Sequence, residues 1–156
     1  EGHDRSNARM VRQTLLREKA VKAVFVPLWR PDMTTEAMIP QVSGELRHHL
    51  PVDVCIAGMG EDCHTASLFP GAPELADALT PENDTILALM TPPDGLEPRL
   101  TLTGPVLQQS RHRHLLMAGN AKRAAFARAE ATTSLSEAPV RILMAGQTPL
   151  HIHYAP

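Results

Sequence analysis

Aromatic side chains are nearly absent from this chain: its 156 residues include one Trp, one Tyr and three Phe. Single-stranded nucleic-acid binding depends on aromatic stacking platforms, so that class is disfavoured. Charge of one sign is also lacking. The formal net charge is −2 with histidines neutral, which leaves no basic field to hold a polyanion. Cysteine is scarce, with Cys55 in an apolar run and Cys63 in a polar loop. Two cysteines without further pattern point to reduced thiols and a cytoplasmic location. No apolar run approaches the roughly 20 residues of a membrane span, and no signal-peptide pattern is visible, so no membrane partner is expected. What is present is aliphatic: 43% of residues are hydrophobic and 21% charged. Those values are ordinary for a folded protein, and the length suits one domain over 1–156 with a core of Ala, Leu, Val, Ile and Met.

Strand and helix signals alternate along the chain. Asp4, Ser6 and Asn7 offer caps for a helix running Ala8 to Glu18, with Val11 and Leu15 on one face. Ala23–Leu28 reads as a short strand that Pro27 ends or places at an edge. A second helix is expected from Thr34 or Thr35 to about His49, carrying Ile39, Val42, Leu46 and Leu50 at helical spacing despite Pro40 and Gly44. Val52–Ala57 reads as a buried strand, and Gly71–Asn83 as a surface loop with room for one helical turn. Strands follow at Thr85–Met90, at Arg99–Thr103 with one polar face, and at His112–Ala118. Gly104–Gln109 is a short helical segment, and Asn120 caps a helix over Ala121–Ala131. A short helix near Pro139 and a strand over Leu150–Tyr154 close the chain. The pattern predicts an α/β fold: an open, largely parallel Rossmann-like sheet with helices on both faces.

Chemistry concentrates where the Val52–Ala57 strand ends. Gly58 and Gly60 allow a sharp turn, followed by Glu61, Asp62, Cys63 and His64. In open α/β sheets, ligands bind at the carboxyl ends of strands. A glycine turn there can present backbone N–H groups to an anion or oxyanion. His64 is a candidate base, since imidazole changes charge near neutral pH; a histidine after such a turn serves equally as a structural cap. The same device recurs at Gly119-Asn120-Ala121-Lys122, where a cation opens a helix. A bound phosphate would offset the unfavourable dipole, and a solvated lysine is the alternative. Arg99 is either a second phosphate arm or a surface charge. His112 with His114, and His151 with His153, each share a strand face. Neighbouring strands would bring these imidazoles together as a zinc site, but solvated pairs are the expectation, and no metal is assigned. A Cys63–His64 nucleophile is disfavoured because adjacent side chains point apart.

The block Gly58-Met59-Gly60-Glu61-Asp62-Cys63-His64-Thr65-Ala66-Ser67-Leu68-Phe69-Pro70 resembles the signature of the 6-phosphogluconolactonases. Asp4-Arg5-Ser6-Asn7, Arg99–Thr103, Gly119–Ala124 and the terminal Tyr154-Ala155-Pro156 match the family in order. The resemblance implies the fold shared by lactonases, glucosamine-6-phosphate deaminases and ribose-5-phosphate isomerases. It implies hydrolysis of 6-phosphogluconolactone to 6-phosphogluconate in the pentose phosphate pathway, without a cofactor. His64 would activate water and Asp62 would orient it or the sugar. Lys122, helped by Arg99, would hold phosphate, with Gly58, Gly60 and Asn7 lining the substrate site. The alternatives are a catalytically impaired sugar-phosphate-binding module and a deaminase-like isomerase. The deaminase branch carries an acid five residues beyond the histidine, where this chain has Phe69. The family usually has glycine at Cys63. Its front strands have no counterpart here, so the chain looks like the rear two-thirds of a lactonase. An impaired fragment and self-association through an exposed sheet edge are expected.

Overall fold

The computed structural model describes residues 7–80, 82 and 84–156. Asp4 and Ser6, two of the expected caps, lie outside the described residues. The helices are α1 (Asn7–Thr14), α2 (Thr35–Arg47), α3 (Leu75–Leu79), α4 (Gly104–Gln108), α5 (Asn120–Ala131) and α6 (Arg141–Met144). The strands are β1 (Val54–Gly58), β2 (Leu87–Met90), β3 (Arg99–Leu102), β4 (His112–Ala118) and β5 (Leu150–Ala155). β1, β4 and β5 form a parallel sheet in that order, and β2 and β3 form a separate antiparallel pair. The expected α/β class with a parallel sheet is therefore present.

Several elements differ from expectation. α1 stops at Thr14, not Glu18. The Thr14 hydroxyl donates to the Met10 carbonyl at 2.8 Å, and the Leu15 and Leu16 amides both donate to Val11. Such local bonding closes a helix rather than extending it. Ala23–Leu28 is extended but joins no sheet among the described residues, and Val24 is 88% exposed. Val26 and Leu28 instead pack on the apolar cluster built around α2. α2 runs through Pro40 and Gly44 because Met38 and Val42, one turn apart, are wholly buried against Ile86, Leu87 and Val106. Burial of that stripe outweighs the weak propensity. The polar face of β3 points inward, with Thr101 and Thr103 both buried. Their hydroxyls donate to Leu102 and Thr85 carbonyls, so the burial is satisfied. The helical turn within Gly71–Asn83 is α3, and its Leu75, Ala78 and Leu79 belong to the core, not the surface. The first residue of α5 is Asn120, and its cap is Gly119.

β4 is the central strand, and its side chains alternate strictly. Arg113, Leu115 and Met117 are buried, while His112, Leu116 and Ala118 are exposed. The inward face meets α4, α5 and α6 through Leu107, Ala125, Ala129, Ile142 and Leu143. Arg113 is only 1% exposed and donates to the carbonyls of Gln108, Ser110 and Thr148. One guanidinium thus ties the α4–β4 turn to the chain entering β5. A side chain at Gly146 would overlap that guanidinium, with a Cβ only 1.6 Å from Nη1. Cys55, on β1, is a buried thiol; burial pushes its pKa up, against the lowering influence of Ser110 and Arg113.

The other sheet face is open. β1 is not a buried strand on this side, where Ile56 is 68% exposed beside exposed Val54 and Leu116. The two His-x-His pairs are neighbours here, since His114 and His151 are register partners. His114 Nδ1 and His153 Nε2 lie 3.0 Å apart in a hydrogen bond, and the His114 and His151 rings stack at 4.9 Å. The imidazoles meet ring to ring, and among the described residues no group of three or more ligand residues is arranged to hold a metal. Desolvation, then the charges of His151, His153 and His112, holds His114 below the ordinary histidine range. An unfolded histidine takes up its proton near pH 6.5. As pH falls through that value the unfolded state binds protons that folded His114 still resists, so stability is lost until the lower folded value is passed. The fall in melting temperature between pH 7 and pH 5 should be smaller in His114→Gln than in the parent, as measured by circular dichroism.

Candidate active site

The site is built on the turn that leaves β1. Gly60 N–H donates to the His64 carbonyl at 2.9 Å, and Cys63 N–H to the Gly60 carbonyl at 3.1 Å. The turn is therefore closed on itself. The Gly60, Cys63 and His64 amides are spent inside it and do not face a ligand. Gly60 is needed for space: a Cβ there would stand 2.2 Å from both Asp62 Oδ1 and His64 Nδ1.

Closure brings Asp62 and His64 together. The His64 amide donates to Asp62 Oδ1 at 3.2 Å, and Nδ1 pairs with the same oxygen at 2.7 Å. Burial is the largest single influence on Asp62 and would raise its pKa. The bonds from the His64 amide and ring, with the ring's charge, outweigh it and hold the carboxyl below its ordinary value. The pair thus persists above the usual carboxylate range and is lost only as pH falls through the lowered value. An ionised carboxylate only accepts, so Nδ1 carries a proton, and in the neutral ring Nε2 is the acceptor.

Neighbouring elements staple the loop in place. Lys122 Nζ, in the first turn of α5, donates to the Met59 carbonyl at 2.7 Å. Arg128, later on α5, donates to the Glu61 carbonyl. Val140 N–H donates to the Cys63 carbonyl, and the Thr65 hydroxyl to the Gly58 carbonyl at 2.9 Å. Cys63 Sγ turns away from His64 and reaches the Ala125 carbonyl at 3.3 Å. Arg99 reaches the same region through a ring: its guanidinium lies 5.5 Å from the Phe69 centroid, and Phe69 lies 4.8 Å from the His64 ring. Asn7 joins Arg99 and Ser67 on the wall of a cavity of about 530 Å³, which His64 and Lys122 do not line. Gly58, Asn7 and Ser67 line an adjoining groove of about 490 Å³. Asp62, His64 and Gly60 therefore share one loop, which Lys122 touches from α5. Arg99 meets it through Phe69, and Asn7 stands on the cavity side of Arg99.

The sequence profile of the family described as glucosamine-6-phosphate isomerases/6-phosphogluconolactonase matches residues 1–152. The chain belongs to this family. It is 40% identical over 156 residues to a 6-phosphogluconolactonase of Rhizobium meliloti (strain 1021), covering 99% of this chain and 67% of that protein. It is 38% identical to one from Pseudomonas aeruginosa, covering 100% of this chain and 65% of the relative. The fold matches the crystal structure of a 6-phosphogluconolactonase from Shewanella baltica with a TM-score of 0.91 at 31% identity, over 99% of this chain and 66% of the other. The chain thus spans about two-thirds of the length of these relatives. Within the family fold, Arg128, Ser67 and Phe69 are site neighbours that spacing did not reveal. Arg128 and Phe69 meet the loop from a helix and as a buried ring, and Ser67 lines the cavity beside Arg99; no periodic signal marks such contacts.

Cys63 has φ +69° and Ala66 φ +51°, both in the left-handed region that favours glycine. Cys63→Gly should be more stable than Cys63→Ala by about 1 kcal/mol in urea denaturation, because both lose the thiol and only glycine relieves the backbone. An alanine variant equal to or above the glycine variant would show the strain to be absent.

Proposed function

We propose that this chain carries the hydrolytic site of a 6-phosphogluconolactonase. The observation that carries the reading is the Asp62–His64 pair, 2.7 Å between Oδ1 and Nδ1. It leaves Nε2 as the acceptor for a water proton. Water attacks the lactone carbonyl while His64 takes its proton. The ring C–O bond then breaks, and the imidazolium returns a proton to the departing alkoxide, giving the open-chain acid. Asp62 fixes the tautomer and offsets the imidazolium charge. Lys122 and Arg99 are the cations for the phosphate, which holds the lactone by its far end. The relatives' names support the substrate class. The deaminase-like alternative is disfavoured because the fifth residue past His64 is the buried ring of Phe69.

Lactone hydrolysis, read above the spontaneous rate, should fall about a hundredfold or more in His64→Ala. Full turnover in that variant would refute the assignment. Asp62→Asn should lower the height of the pH–rate profile by about tenfold or more. An undiminished rate in Asp62→Asn would show that the carboxylate has no part in orienting the imidazole.

A further inference from the structure

We propose that Phe69 is a positioning residue that couples the orientation of His64 to occupancy of the Arg99 phosphate arm. This rests on the lactonase reading of those two residues and extends it to a residue with no chemistry of its own. Phe69 is 7% exposed, within the apolar cluster that contains Cys63, Leu68 and Ala72. Its backbone is anchored on both sides. Ala72 N–H donates to the Phe69 carbonyl, and the preceding Leu68 N–H donates to Thr65, which also bridges back to Leu68. The ring is therefore held from the backbone and from the cluster around it. The His64 ring lies 4.8 Å away, tilted by 54°, and the Arg99 guanidinium lies 5.5 Å from the ring centre.

A fixed ring gives a flexible guanidinium a preset π surface, and gives the imidazole a neighbour that restricts its rotation about the Asp62 bond. Asp62 holds one edge of His64 and Phe69 packs against the ring. Phosphate bound by Arg99 would press the guanidinium onto the same phenyl group. Binding energy from the unreactive end of the substrate then bears on the orientation of the base, where it improves turnover rather than affinity alone.

The test uses Phe69→Leu, which removes the ring, Phe69→Tyr, which keeps it, and Arg99→Gln. Three readings are taken on each folded protein: lactone kinetics, affinity for 6-phosphogluconate and for inorganic phosphate, and the His64 ring signals by NMR, assigned with His64→Gln. Phe69→Leu should lower kcat about tenfold and weaken 6-phosphogluconate binding severalfold, with Phe69→Tyr restoring both. Arg99→Gln should shift the His64 ring signals, and phosphate added to the parent should shift them as well. The proposal is overturned if Phe69→Leu keeps kcat and phosphate affinity within twofold. It is also overturned if stability alone falls while the His64 signals and phosphate affinity stay at parent values. Should Phe69→Leu not fold, the His64 response to Arg99→Gln and to phosphate decides. No hydrolysis by the parent chain would remove the lactonase reading, and the NMR and binding readings would still judge the role of Phe69.

Discussion

The hydrogen bond from Gly60 N–H to the His64 carbonyl is the constraint on which the site depends. It folds five residues into a closed turn, so that Asp62 Oδ1 meets both the amide and the ring of His64. The turn tolerates no side chain at position 60 and forces a left-handed conformation on Cys63. Such strain is held only where the surroundings over-determine it. Here the surroundings are specific: Lys122 and Arg128 grip two carbonyls, Val140 grips a third, and the Cys63 thiol is buried against Ala125. A helix and a chain segment distant in sequence thus hold the loop on which Asp62 sets the tautomer of His64.

The two cations assigned to phosphate reach this loop by different physical routes. Lys122 makes a direct bond to it, while Arg99 is steered through an aromatic face. A point charge and a planar fork differ in what they ask of a ligand: the ammonium neutralises, and the guanidinium orients.

The sheet has contrasting faces. Inward, an aliphatic core closes over Leu115 and Met117, and Arg113 is buried without a carboxylate because three carbonyls receive its protons. Outward, exposed Val54, Ile56 and Leu116 lie beside a hydrogen-bonded histidine pair. The family relatives are about half as long again as this chain, and an apolar sheet face of this kind is of the sort that further chain or a partner covers.

Much of this was legible in the residues. The alternation of β4, the stripe of α2 and the glycine-acid-histidine order after β1 are local, because periodicity and turn chemistry are properties of neighbours. The resemblance of the thirteen-residue block pointed to the family that the comparisons then showed. Three things needed the tertiary structure. Ala23–Leu28 has the composition of a strand, but a strand exists only where a ladder partner stands beside it. Thr101 and Thr103 form the polar face read from the sequence, but that this face is buried was decided by what packs upon it and by the carbonyls within reach. The glycine turn looked like a donor of N–H groups, yet the Gly60, Cys63 and His64 amides close inward, in a loop that α5 and Val140 hold from outside. Sequence by itself determined which chemical groups the site has and their order. The grip of Lys122, Arg128 and Val140 on the loop, and the approach of Arg99 to Phe69, were decided by contacts between residues far apart in the chain, which no local pattern encodes.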